Sequence, residues 1–182
     1  MHDPDRLDAD TAAYHEAGHA VVAHLLGGEV AECTIESDDD GMAGGATVRW
    51  YGVAPKERTR RSALVALAGP LAEARWRGEP APDDDEAWAA DRREVDAALA
   101  ALVPPAERAA VLQRWLAEVA RAFEDGETWE CLCRVADGLA AHGTLDRDLF
   151  LGAMGAAGGD DDGDDDREDP WEPATPESDD EE

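Results

Sequence analysis

The sequence predicts a mainly α-helical domain of the α+β class, with one small β-hairpin near its N-terminus. Apolar residues recur at helical spacing in most of the chain, whereas β-favouring runs occur only at 30–35 and 46–50. The composition also changes abruptly near residue 158. We therefore expect a polar leader at 1–10, one domain at 11–157 and an acidic disordered tail at 158–182.

The first predicted helix begins at Thr11, capped by Asp10 or Thr11, and ends at Leu26 before two glycines. Residues 11–27 contain one carboxylate, Glu16, and no lysine or arginine, although 44 of the 182 residues of the chain are acidic. Such a helix is apolar almost all round and should be buried. Burying a lone carboxylate costs free energy unless a positive charge compensates for it.

Two β-leaning runs and a second long helix follow. The runs 30–35 and 46–50 flank an acidic, glycine-rich stretch, which predicts a hairpin with a long loop. The second helix should extend from about Lys56 to Arg77. Gly69 and Pro70 interrupt its pattern, so we expect a kink or a restart there.

The C-terminal half is predicted to be helical. After a loop at 79–85, helical patterns occur at about 86–102, 105–123, 127–142 and 145–155. Cys131 and Cys133 form a C-x-C pair that we interpret as helix-packed thiols, since no second cysteine cluster accompanies them. Four tryptophans at helical positions are interpreted as core or interface anchors. These are Trp76, Trp88, Trp115 and Trp129.

The charge and the cysteine content restrict the possible partners and location. The formal net charge is -28, which disfavours nucleic acid and anionic membrane surfaces as partners. Three cysteines cannot form a disulfide framework, the acidic start does not resemble a signal peptide, and no apolar stretch has the length of a membrane span. The expectation is a cytoplasmic protein without a membrane span.

The segment His15-Glu16-Ala17-Gly18-His19 carries the candidate chemistry. Histidines four residues apart project from one face of a helix, which suits a tetrahedral metal such as zinc. Glu16 lies about 100° around the helix from His15, where it can accept a proton from a zinc-activated water. We estimate that about one chain in a hundred of this composition contains H-E-x-x-H by chance, so the uncharged helix around it is the stronger argument.

A zinc peptidase site needs a third protein ligand and an open fourth position. The metzincin pattern would place a histidine at position 25, which is Leu25. His24 lies half a helical turn from His15 and is interpreted as a packed or surface histidine. An acidic residue on a later helix is therefore the natural candidate.

Several segments resemble the FtsH-type peptidase domain, the proteolytic half of membrane-anchored AAA proteases. Residues 14–22, Tyr-His-Glu-Ala-Gly-His-Ala-Val-Val, are similar to its zinc helix, and residues 66–74 are similar to the helix that packs on it. The hairpin and His142-Gly143-Thr144-Leu145 resemble further parts of that domain. The resemblance covers about residues 11–155 and is weakest in the C-terminal half.

The resemblance implies a third zinc ligand. In that family it is an aspartate at the start of the helix after the loop, which Asp91 matches best and Asp85 second best. Glu73 is a third candidate, because a helical glutamate is the ligand in gluzincin-type sites. Its position in the FtsH-type pattern is that of a packing or outer carboxylate.

The sequence departs from FtsH-type proteases in its missing ATPase. It contains no G-x-x-x-x-G-K-[ST] loop and only one lysine, Lys56. The expected function is a zinc metalloendopeptidase that acts on unfolded or short polypeptides, with any ATPase or unfoldase a separate partner. The alternatives are a non-cleaving binding or regulatory module that retains the zinc site, and a metal-free helical interaction protein.

Overall fold

The computed structural model describes residues 4–36, 44–80 and 88–155. The predicted acidic loop around 37–43, most of the loop after residue 80, and the acidic tail lie outside the described residues. The described helices are α1 (Pro4–Leu25), α2 (Pro55–Arg77), α3 (Ala89–Leu102), α4 (Arg108–Glu124), α5 (Gly126–His142) and α6 (Arg147–Ala153). The described strands are β1 (Glu29–Thr34), β2 (Gly45–Arg49) and β3 (Thr144–Asp146). This confirms the mainly α, α+β fold class.

The three strands form one antiparallel sheet in the order β2-β1-β3. The hairpin of β1 and β2 was predicted, whereas β3 was not. A three-residue strand has too little alternation to be recognised in a sequence, and the pairing of Thr34 with Thr144 spans more than a hundred residues. The hydroxyl groups of these two threonines are 2.7 Å apart.

Two helix boundaries differ from the prediction. Helix α1 begins at Pro4, so Asp10 and Thr11 lie inside it and neither caps it; the proposed leader is partly helical. The fixed φ of proline suits the first helical position. The last helix begins at Arg147 rather than near residue 145, because the side chain of Asp146 accepts a hydrogen bond from the backbone N–H of Leu149 and caps it.

Helix α2 continues from Pro55 to Arg77 as one helix, so of the two expectations at Gly69 and Pro70 the restart is wrong, and the kink stays a prediction. Gly78 directly follows the helix and caps it; its φ of 69° is the left-handed conformation typical of a helix C-terminus. Ten of its residues are buried, and they lie between Ala63 and Ala74. Burial on several sides of the helix offsets the backbone hydrogen bond that Pro70 cannot donate.

Helix α2 packs against α1, α3 and α4, and α1 also packs against α5. The approach of α1 to α2 is close because the facing residues are small. A Cβ atom at Gly18 would lie 2.6 Å from the carbonyl oxygen of Ala68 and 2.7 Å from the Cβ of Ala72. The contact therefore requires glycine at position 18.

The four tryptophans pack against other parts of the domain, as predicted. Trp88 and Trp115 are buried. Tyr14 stacks on Trp76 with ring centroids 4.9 Å apart, and Trp129 lies beside the same ring. Cys131 is buried and Cys133 is partly buried on α5, and neither forms a disulfide, which agrees with their interpretation as helix-packed thiols. Among the described residues, no helix combines the length and the apolarity needed to cross a lipid bilayer.

Candidate metal centre

Helix α1 places His15 and His19 on the face that meets α2 and α3. Nε2 of His15 lies 3.2 Å from Oδ2 of Asp91, and Nε2 of His19 lies 3.4 Å from Oδ1 of the same carboxylate. One ligand atom from each of these three residues lies within 4.8 Å of the other two. Among the described residues, this is the group of histidine, cysteine and acidic side chains that could hold a metal ion.

Asp91 lies in the first turn of α3. Buried Trp88 immediately precedes this helix and fixes its start against the core. The structure therefore brings Asp91, the aspartate that the family resemblance favoured, to both histidines. Asp85 lies outside the described residues.

The other ring nitrogen of each histidine contacts a second group. Nδ1 of His15 lies 3.2 Å from Oε2 of Glu73, and Nδ1 of His19 donates a hydrogen bond of 2.7 Å to the carbonyl oxygen of Val65. These contacts orient both Nε2 atoms towards Asp91 and leave them as the candidate metal donors. Glu73 thus lies behind His15, the position of an outer carboxylate, and its Oε1 pairs with Arg77 at 3.2 Å.

Gly69 makes room for the two imidazole rings. A Cβ atom at this position would lie 2.8 Å from Nε2 of His15 and closer still to the ring of His19. Sequence reasoning treated Gly69 as a helix interruption and missed this role. The run of small residues before Pro70 was the available signal, whereas the contact of His19 with Val65 involves a backbone carbonyl and leaves no trace in the sequence.

Glu16 is buried beside this group, with 9 % of its surface exposed. Its Oε2 atom has no hydrogen-bond partner among the described residues. The pKa of Glu16 is raised to about 7, mainly by burial; the positive charge of His15 opposes this shift, and the negative charge of Asp91 adds to it. The carboxyl group is therefore poised to exchange a proton near neutral pH.

The same environment shifts the pKa values of His15 and His19 in opposite directions. Burial lowers the pKa of His15, but its hydrogen bonds to Asp91 and Glu73 outweigh burial and raise the pKa to about 9. Burial and the charge of His15 lower the pKa of His19. Without a metal, the group therefore holds one positive charge, on His15, between the carboxylates of Asp91 and Glu73.

The residues present fit a zinc ion. Zinc lies about 2.0–2.2 Å from nitrogen and oxygen ligands, so donor atoms at two corners of a tetrahedron are about 3.3–3.6 Å apart. Each histidine is close to that spacing from one carboxylate oxygen of Asp91, at 3.2 Å from Oδ2 for His15 and 3.4 Å from Oδ1 for His19. Two imidazoles and one carboxylate leave a fourth position open, which is the donor set of a catalytic rather than a structural site. The unpartnered oxygen of Glu16 also fits a site in which a positive ion is present.

His24 is not part of this group. It is partly buried, and its ring packs edge-on against Phe150 with centroids 5.7 Å apart. Its interpretation as a packed histidine is therefore confirmed.

Comparison with known proteins relates the N-terminal part of the chain to metallopeptidases. Residues 9–76 match the family model described as Peptidase M50B-like. The match includes His15, Glu16, His19 and Gly69 but ends before α3, which carries Asp91. It does not single out the FtsH-type family. A search of curated proteins finds no match to the chain. The segment related to metallopeptidases thus contains both candidate metal-binding histidines.

Proposed function

We propose that this protein is a zinc-dependent metalloendopeptidase. The observation that carries the proposal is the convergence of His15, His19 and Asp91 within 4.8 Å, beside a buried glutamate with an unpartnered oxygen. The metallopeptidase relation of residues 9–76 supports the same reaction class.

His15, His19 and Asp91 would hold the metal through the Nε2 atoms and the carboxylate. A bound zinc ion supplies Lewis-acid activation of water and of the scissile carbonyl group. Glu73 and the carbonyl oxygen of Val65 keep the imidazole rings in the required orientation.

Glu16 moves the proton. Its carboxylate accepts a proton as the water oxygen forms a bond to the scissile carbonyl carbon, and returns that proton to the amide nitrogen as the C–N bond breaks. A pKa of about 7 lets the same group act as base and then as acid. The products are a free carboxyl group and a free amine.

Unfolded or short polypeptides are the proposed substrates. A metal site between packed helices accepts an extended chain more readily than a folded surface, since the scissile bond must reach the buried Glu16. A separate ATPase or unfoldase that delivers such chains remains part of the proposal.

The decisive experiment combines metal analysis with the variant Glu16→Gln. The purified protein should contain one zinc ion per chain and cleave unfolded casein. Glu16→Gln should keep its zinc but lose at least about a hundredfold in rate, because it cannot accept the proton. Exposed Glu130 has the same side chain outside the site, so Glu130→Gln is the matched control and should retain full activity.

The other outcomes separate the alternatives. Full activity of Glu16→Gln would contradict the mechanism. Bound zinc without cleavage, together with a stable peptide complex, would identify a non-cleaving module. A protein that binds no zinc and whose melting temperature does not change with EDTA would be a metal-free interaction protein.

A further inference from the structure

A groove of about 300 Å³ runs between α2 and α3. Arg58, Thr59 and Ser62 line it from α2. Glu94, Ala97 and Ala98 line it from α3. The proposed reaction does not use any of these residues.

The groove begins one helical turn from the candidate metal centre on both of its walls. Glu94 follows Asp91 by three residues on α3, and Ser62 precedes Val65 by three residues on α2. Residues three apart lie on the same face of a helix, about 4.5 Å apart along its axis. A chain that passes the metal centre and continues along these helices therefore enters the groove.

Glu94 is available to a ligand. The residue is solvent-exposed, and its side chain makes no hydrogen bond or ion pair with another described residue, Arg58 on the opposite wall included. Partial burial of the carboxyl group and the negative charge of Asp91 raise the pKa of Glu94. This direction agrees with the position of Glu94 one helical turn from Asp91 on α3.

We propose that Glu94 is a specificity-determining residue that binds a lysine or arginine side chain of the polypeptide, one or two residues from the scissile bond. This inference rests on the proposed peptidase function. An extended chain advances about 3.3 Å per residue, so the 4.5 Å from Asp91 to Glu94 corresponds to one or two substrate residues.

Charge favours a basic side chain over an acidic one at this point. The protein carries a formal charge of -28, so basic polypeptides are attracted to it and acidic ones are repelled. Arg58 lies eleven residues before Gly69, which corresponds to about 16 Å along α2. Arg58 therefore lies at the end of the groove that is farther from the metal centre. Its positive charge is more distant from that centre than the side chain that Glu94 would bind.

The test compares peptides that differ at one position. Cleavage sites in casein are first mapped by mass spectrometry, and matched peptides are then made with lysine or glutamine at each position next to the mapped bond. At one position the wild-type protein should prefer lysine about fivefold in kcat/KM, the upper range for one exposed ion pair. Glu94→Gln should remove this preference, and Glu94→Arg should reverse it towards a glutamate peptide. The control Glu130→Gln should keep it.

A binding measurement makes the test independent of turnover. Zinc-loaded Glu16→Gln protein is titrated with the same fluorescent peptides, and the ratio of Kd values should show the same preference, which the additional change Glu94→Gln should remove. Cleavage without any lysine preference would overturn the role of Glu94 and leave the peptidase function standing. If casein is not cleaved, the peptidase function fails, no position can be mapped, and the role of Glu94 fails with it; if casein is cleaved, equal Kd values for the lysine and glutamine peptides would overturn the role of Glu94 alone.

Discussion

The interface of α1 with α2 and the position of α3 contribute to the same site in different ways. At the α1–α2 interface, small residues let two long helices approach closely, and Gly18 contacts Ala68 and Ala72. From α3, the side chain of Asp91 in the first turn reaches across to both histidines. The α1–α2 pair lies largely within the segment that matches the metallopeptidase family model, whereas α3 lies outside it. The first region provides an oriented pair of imidazoles, and the second completes the proposed ligand set.

Removing the carboxylate that α3 contributes to the site should cause the largest loss of zinc affinity. Asp91→Ala deletes the proposed third ligand and leaves two histidines, so the affinity for zinc should fall by more than the roughly 10–100-fold typical of lost outer-shell contacts. Isothermal titration with zinc measures this change. Asp148→Ala, which removes an exposed carboxylate in the first turn of α6, should bind zinc as the wild type does. Equal affinities for both variants would show that α3 does not complete the site.

Adding a side chain at Gly69 should disturb the contact between α1 and α2 at the place where the two imidazole rings lie. The added methyl group of Gly69→Ala would collide with both imidazole rings, so zinc binding should weaken by at least about tenfold, and overpacking should cost about 1–3 kcal/mol of stability. Zinc titration and urea unfolding test the two effects. Gly152→Ala is the matched control, because a Cβ atom there meets nothing within 4 Å. Unchanged zinc affinity in Gly69→Ala would mean that the rings can shift without cost.

Removing the outer carboxylate should have a smaller effect. Glu73→Ala leaves all three proposed ligands in place but frees Nδ1 of His15, so zinc affinity should fall by about 10–100-fold. Glu57 lies on the same helix and pairs with Arg60 and Arg61 away from the site, so Glu57→Ala should leave zinc affinity unchanged. A loss as large as that of Asp91→Ala would instead make Glu73 a ligand.

The smallest expected effect is on the pH dependence of the free energy of unfolding. It concerns His24, which lies outside both of these regions. Burial lowers the pKa of His24 below its ordinary value of 6.5 in the folded state. As pH falls through about 6.5, the unfolded chain therefore binds a proton that the folded chain resists, and stability decreases. His24→Gln should make the free energy of unfolding, measured in EDTA, less dependent on pH between 8 and 5. An identical pH dependence in the two proteins would contradict this.

Much of this structure was predictable from periodicity and composition. The helical class, the β1–β2 hairpin and the placement of His15, Glu16 and His19 on a buried helix follow from local patterns. The extent of α1 before Thr11, the continuity of α2 through Pro70 and the strand β3 do not. In α2, burial of neighbouring residues outweighs the local preference of Gly69 and Pro70 to interrupt a helix. In β3, the partner strand is far away in sequence.

The sequence by itself determined the segment that carries the chemistry, since an i, i+4 pair of histidines and a lone glutamate in an uncharged helix are local properties of residues 11–27. Only the tertiary structure decided how that segment is completed. Asp91 approaches the histidines and Glu73 lies behind His15 because α2 and α3 pack there, and Gly69 leaves the space that both rings occupy. Local spacing fixes where side chains project from one helix, whereas the distance between helices depends on the packing of residues far apart in the chain.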